Sequence, residues 1–148
     1  MNVRRLVTAA VVVVALAAPA SALAGSISVT GKGRATYQAL GDATAFSTYV
    51  LTGGRVLATG DVTVTISCAR PRAKRCYRIN HRTGAYIVLK PVTVLAEGTD
   101  FRLAIVSGRG FNLGITGVGR VVLSGSGSYT TSGQTSAYVG RRVVTLAG

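Results

Sequence analysis

The chain has 148 residues, with 17 Lys and Arg against four acids and a single His, for a formal net charge of +13. That length suits one ordinary domain, and the wealth of β-branched and apolar residues excludes a disordered tail. Four carboxylates and one imidazole leave little material for acid–base chemistry or a metal centre, so the composition argues against most enzymes.

Residues 1–24 read as a secretory signal peptide: Arg4 and Arg5 form a charged start, Leu6 to Ala18 an apolar run, and Ala22-Leu23-Ala24 a small-residue cleavage site. The run is shorter than the ~20 residues a helix needs to cross a bilayer, which disfavours a retained anchor. Leu23-Ala24-Gly25-Ser26 has the outline of a lipoprotein box, but Ser26 stands where the lipid-bearing cysteine would be. No later stretch is long and apolar enough to span a membrane. Cleavage after Ala24 would leave residues 25–148 as a single secreted or extracytoplasmic domain. Its fifteen cations face only Asp42, Asp61, Glu97 and Asp100, a net charge of +11. Such an imbalance bears on solubility and attraction to polyanions, not on fold.

Alternation with period two dominates the rest, and helical period is nowhere convincing. Thr44 to Thr52 and Arg55 to Ala58 flank Gly53-Gly54, a two-residue hairpin signal. Val62 to Ser67 reads as a strand with one apolar and one polar face. Ala85 to Leu89 and Val92 to Leu95 are continuous apolar runs bracketing Pro91, as for buried strands separated by a break.

From Phe101 to Tyr129 the apolar residues hold to odd positions: Phe101, Leu103, Ile105, Phe111, Leu113, Ile115, Val121, Leu123 and Tyr129. Three Gly-x-Gly punctuators interrupt them, at Gly108–Gly110, Gly117–Gly119 and Gly125–Gly127. Two readings preserve the odd-numbered face. Three-residue hairpin loops would pair Ile105 with Leu113, Ile115 with Val121, and Leu123 with Tyr129. Alternatively, the glycines lie inside long bent strands, thinning one face so that aromatics can pack over it. The stretch Val29-Thr30-Gly31-Lys32-Gly33-Arg34 echoes Ile115-Thr116-Gly117-Val118-Gly119-Arg120 and hints at two matched strands. Either way the expectation is an all-β domain, a small antiparallel sandwich or partly open barrel.

Cys68 and Cys76 are the only thiols, and an oxidising compartment predicts a disulfide between them. The bond would clamp the neck of a seven-residue loop, Ala69-Arg70-Pro71-Arg72-Ala73-Lys74-Arg75, ahead of a Tyr77-Arg78-Ile79 strand. Arg70, Arg72, Lys74, Arg75, Arg78 and Arg82 lie within thirteen residues that hold no acid. They form the candidate polyanion-binding surface, for an anionic cell-wall polymer, polysaccharide or lipid surface. The plainer reading is a solvated hairpin tip that keeps a β-rich protein soluble. Tyr77 is the only adjacent aromatic, too little stacking surface to indicate single-stranded nucleic acid.

Other chemistry finds little support. Two cysteines and His81 do not make a four-ligand metal set. Glu97 and Asp100 are the only close carboxylates and suit a turn; a glycosidase-type pair is the remote alternative. No Gly-x-Ser-x-Gly elbow occurs. No Gly-x-Gly completes a dinucleotide fingerprint, because Leu113, Val122, Thr130 or Thr36 occupies the third glycine position. The expectation is therefore a secreted, non-catalytic β-domain without cofactor, associating with the envelope or an extracellular polyanion. A structural or inhibitory protein-binding module is the alternative, and a hydrolase the least favoured.

Overall fold

Where the sequence alternates, the chain is extended. The computed structural model describes residues 25–70 and 72–147, and the expected signal peptide, residues 1–24, lies outside the described residues. Eight strands follow one another: β1 (Gly25–Ala39), β2 (Ala45–Leu51), β3 (Gly54–Cys68), β4 (Tyr77–Ile79), β5 (Tyr86–Val88), β6 (Val92–Gly117), β7 (Gly119–Thr131) and β8 (Gln134–Leu146). No helix occurs among the described residues. The strands form one antiparallel sheet in the order β4-β5-β3-β6-β1-β7-β8, which is not closed into a barrel. The all-β expectation holds, in its open form rather than as two stacked sheets.

The long strand β6 organises everything else. Its first arm, 92–98, pairs with 62–68 of β3, its middle with 55–60 of β3 and 33–38 of β1, and its last arm with 25–31 of β1. Off this path, β2 lies between the two arms of β6: Leu51 is opposite both Val92 and Phe111, and Phe46 opposite both Glu97 and Thr116. As β2 counts up, its partners on both sides count down. An extended chain returns beside itself in this way only by coiling, so β6 winds round a single interior.

Two irregularities provide the bend. Between Gly60 and Val62, β3 advances two residues while β6 advances three, from Gly98 to Phe101. This bulge flips the buried parity of β6 from Val92, Val94 and Ala96 to Phe101, Leu103 and Ile105. Between Gly31 and Gly33 of β1, β6 advances from Phe111 back to Ser107, two residues more than its partner. The buried Ser107 hydroxyl stitches this second bend, donating to the Gly110 carbonyl (3.0 Å) and accepting from the Gly110 amide (3.2 Å).

The Gly-x-Gly punctuators are therefore not hairpin loops. Gly108–Gly110 is the bulge within β6, Gly125–Gly127 lies inside β7, and β1 separates β7 from β6 beyond Gly117–Gly119. The pairs Ile105–Leu113, Ile115–Val121 and Leu123–Tyr129 do not face each other across strands; Ile105 is opposite Ala35, Ile115 opposite Ile27, and Leu123 opposite Ala35 and Arg142. The Gly53-Gly54 hairpin is also absent, because β2 pairs with β6 and not with β3. The glycine motif of β1 meets the third punctuator, not its echo: Gly31 is opposite Gly127 and Gly33 opposite Gly125.

The parity itself is correct. All nine odd-numbered residues from Phe101 to Tyr129 are buried in one cluster with Ile27, Val29, Tyr37, Tyr49 and Leu51. Tyr37 packs edge-on against Phe101, ring centroids 5.7 Å apart, and donates its hydroxyl to the Val118 carbonyl at 3.0 Å. Burial pushes that hydroxyl up to about 12 and raises those of Tyr49 and Tyr138 as well. Tyr138 of β8 lies over the glycine-paired rungs, where a Cβ on Gly31 would collide with its hydroxyl and with the Ser126 carbonyl. Gly31→Ala is thus expected to cost about 1–3 kcal/mol by overpacking. Gly108→Ala, whose added methyl meets nothing within 4 Å, should shift stability by under about 0.5 kcal/mol. Urea unfolding of both variants tests the close approach, and equal losses would contradict it.

Candidate functional site

The loop that follows β3 owes its position to three ties. Cys68, the last residue of β3, is bonded to Cys76 with Cα atoms 5.6 Å apart, inside the usual disulfide range. Cys76 is buried, and its carbonyl accepts from the amides of Leu89 (2.8 Å) and Lys90 (3.0 Å). At the other end the Ala69 amide donates to the Pro91 carbonyl at 2.9 Å. The predicted disulfide is present and is consistent with an extracytoplasmic protein. The predicted Tyr77–Ile79 strand is present too, as β4.

Within the loop, the Ala73 amide donates to the Arg70 carbonyl at 3.1 Å and closes a turn. Arg75 then adopts a left-handed backbone, φ 55. That conformation costs a non-glycine residue about 1–3 kcal/mol and persists only where its surroundings over-determine it. The fixed Cys76 beside it supplies that constraint.

Of the six predicted cations, Arg70 and Arg72 line a common groove of about 670 Å³ with Ala73, Lys90 and Pro91. Lys74 adjoins it, since the Lys90 ammonium donates to the Lys74 carbonyl at 3.3 Å. Arg75 is exposed on the same loop. Arg78 and Arg82 do not line the groove. Arg78 stands in β4, opposite Ile87. Arg82 sits in the β4–β5 turn, where the Asn80 carboxamide accepts from the Arg82 and Thr83 amides. The structure thus splits the predicted set into a groove and an outlying pair. It also adds Lys90, whose only sequence signal is its place before Pro91.

No acid is among the described residues that line the groove. Cys68 is opposite Val92 at one end of the β3–β6 pair, whereas Val62 is opposite Gly98 and Thr63 opposite Glu97 at the other. Glu97 is five residues along β6 from Val92 and Asp61 seven along β3 from Cys68, about 17 and 23 Å of strand, at least twice the Debye length of about 8 Å at physiological salt. Glu97 shares a shallow depression of about 350 Å³ with Asp61, Thr63 and Thr99. Thr99 donates to an Asp61 carboxylate oxygen at 3.4 Å. Asp100 does not line this depression, which brings Glu97 together with Asp61 of another strand.

Among the described residues no three His, Cys, Asp or Glu side chains gather as a metal site, and no helix is long and apolar enough to cross a membrane. No family model matches the chain, and no curated protein or solved structure matches it either.

Removing the disulfide with Cys68→Ser and Cys76→Ser is expected to cost roughly 2–3 kcal/mol, the loop-entropy value for so small a ring. Urea unfolding of the variant beside the oxidised and reduced wild-type protein checks this. An oxidised protein no more stable than the reduced one would show that the clamp orders nothing.

Proposed function

We propose that the protein works outside the cytoplasm as a non-catalytic binding domain, held on the cell envelope or an extracellular polyanion through its disulfide-clamped basic loop. The observation that carries this reading is the groove in which Arg70, Arg72 and Lys90 converge over Ala73 and Pro91 with no acid in its lining. A clamped loop loses little conformational entropy on binding, which favours affinity from few contacts. Guanidinium groups suit carboxylate, sulfate and phosphate oxygens because their donors form a planar fork. The leader-like residues 1–24 support export, and the disulfide agrees with an oxidising compartment.

The test is salt-dependent retention of the purified domain on an anionic matrix and on isolated cell wall. Replacing Arg70, Arg72, Lys74 and Arg75 together by Gln is expected to move elution to clearly lower salt, because each lost cation removes a released counterion. Unchanged elution, or retention that ignores salt, would overturn the assignment. The four side chains lie on an exposed loop, so the variant should keep its unfolding midpoint within about 0.5 kcal/mol of stability.

A further inference from the structure

Cross-strand register lines up arginines that are scattered in the sequence. Arg78 of β4 is opposite Ile87 of β5, and Ile87 opposite Arg55 of β3. Arg55 is opposite Val106 of β6, and Val106 opposite Arg34 of β1. Arg34 is opposite Ser124 of β7, and Ser124 opposite Arg141 of β8. One unbroken rung across seven strands thus carries Arg on every second strand. All four arginines are exposed, and the residues that follow or precede the rung on β1, β3, β6 and β7, namely Ala35, Val56, Ile105 and Leu123, are buried in the core, so the rung lies on the outer face. Strands sit about 4.8 Å apart, which spaces the guanidinium bases about 9.6 Å along the rung. Four residues further along the strands, Arg102 and Arg120 stand on the same face in a second rung with Gln38 between them. Neither rung contains an acid.

We propose that this outer face is a track for a linear acidic polysaccharide in which charged and neutral sugars alternate. The inference rests on the polyanion reading above and extends it, with Arg78 the cation shared between the predicted surface and the track. Three features select the ligand. Charge complementarity requires an anion. The sheet turns by about 20–25° per strand, so six steps rotate the rung by well over 90°. A flat anionic bilayer then meets one or two of these arginines, whereas a flexible chain can follow all four. The uncharged rung positions, Ile87, Val106 and Ser124, offer apolar or hydroxyl surface between cations, matching neutral sugars between acidic ones. Nucleic acid fits less well: its phosphates recur far more closely than the arginines, and no aromatic stands on the rung to stack a base.

The experiment measures binding of hyaluronan oligosaccharides of increasing length, as uronate-bearing probes, to three proteins. These are the wild-type domain, a track variant (Arg34→Gln, Arg55→Gln, Arg141→Gln) and the loop variant of the preceding subsection. Wild-type affinity is expected to rise with length until the chain spans the four arginines, at roughly eight sugars for one charge per disaccharide on the spacing above, and then to level off. The track variant should lose about tenfold or more at full length and should flatten the length dependence. Circular dichroism and unfolding midpoints confirm that it is folded, and Arg102→Gln with Arg120→Gln gives a second, smaller perturbation of the same face. Loss in the loop variant with none in the track variant overturns the track and leaves the loop reading standing. Loss in the track variant alone supports the track and overturns the loop as the main contact. No wild-type binding to hyaluronan, with binding to polyphosphate or anionic vesicles, overturns the polysaccharide assignment.

Discussion

Both ends of β6 hydrogen-bond to the same short strand, and the rest of the architecture follows from that constraint. Leu51 cannot face Val92 and Phe111 together unless β6 coils, and a coiled β6 carries β3 on one side and β1 on the other around one interior. The coil is possible because the chain spends residues on bulges: one extra on β6 near Gly98 and two more at Gly108–Gly110. It is stabilised because the concave side is almost wholly apolar, so every turn removes more hydrocarbon from water. β7 and β8 extend the wrapped sheet. There Gly31, Gly33, Gly125 and Gly127 leave no room for a Cβ against the facing backbone, and the Tyr138 hydroxyl sits over Gly31.

The side-chain pattern was legible in the sequence, and the pairing was not. Odd-numbered burial from Phe101 to Tyr129 follows from the two-residue period of an extended chain, which needs no partner to be seen. A three-residue loop and a two-residue bulge both preserve parity, so alternation alone could not separate hairpins at the glycines from bends within strands. The Gly53-Gly54 signal misled for a related reason. Turn chemistry is local, whereas β2 is captured by the two arms of β6, each contributing a ladder that a β2–β3 hairpin would have to forgo. The parity flip after Ala96 depended on an unpaired residue near Gly98, visible only once β3 lies beside β6.

The same division holds for charge. Arg70 to Arg75 are contiguous, and the disulfide between Cys68 and Cys76 follows from their being the only two thiols, so both were readable. Lys90 joins the groove only because the clamped loop folds back on Pro91. Arg34, Arg55, Arg78 and Arg141 carry no local signal at all. Each is a single cation on a strand, and only six successive registers bring them into line. Arg82 remains apart, held in the β4–β5 turn, and Arg78 stands on the rung and not in the groove, which divides the predicted basic surface between two elements.

Cross-strand contacts of Leu51, measured by NMR on the isotope-labelled domain, test the coil most directly. Backbone contacts from Leu51 to both Val92 and Phe111, together with slow amide exchange along β2, are what a strand held between the two arms of β6 requires. Contacts from Leu51 to Arg55 or Val56 across Gly53-Gly54, with none to Val92 or Phe111, would show a β2–β3 hairpin and contradict the coiled sheet.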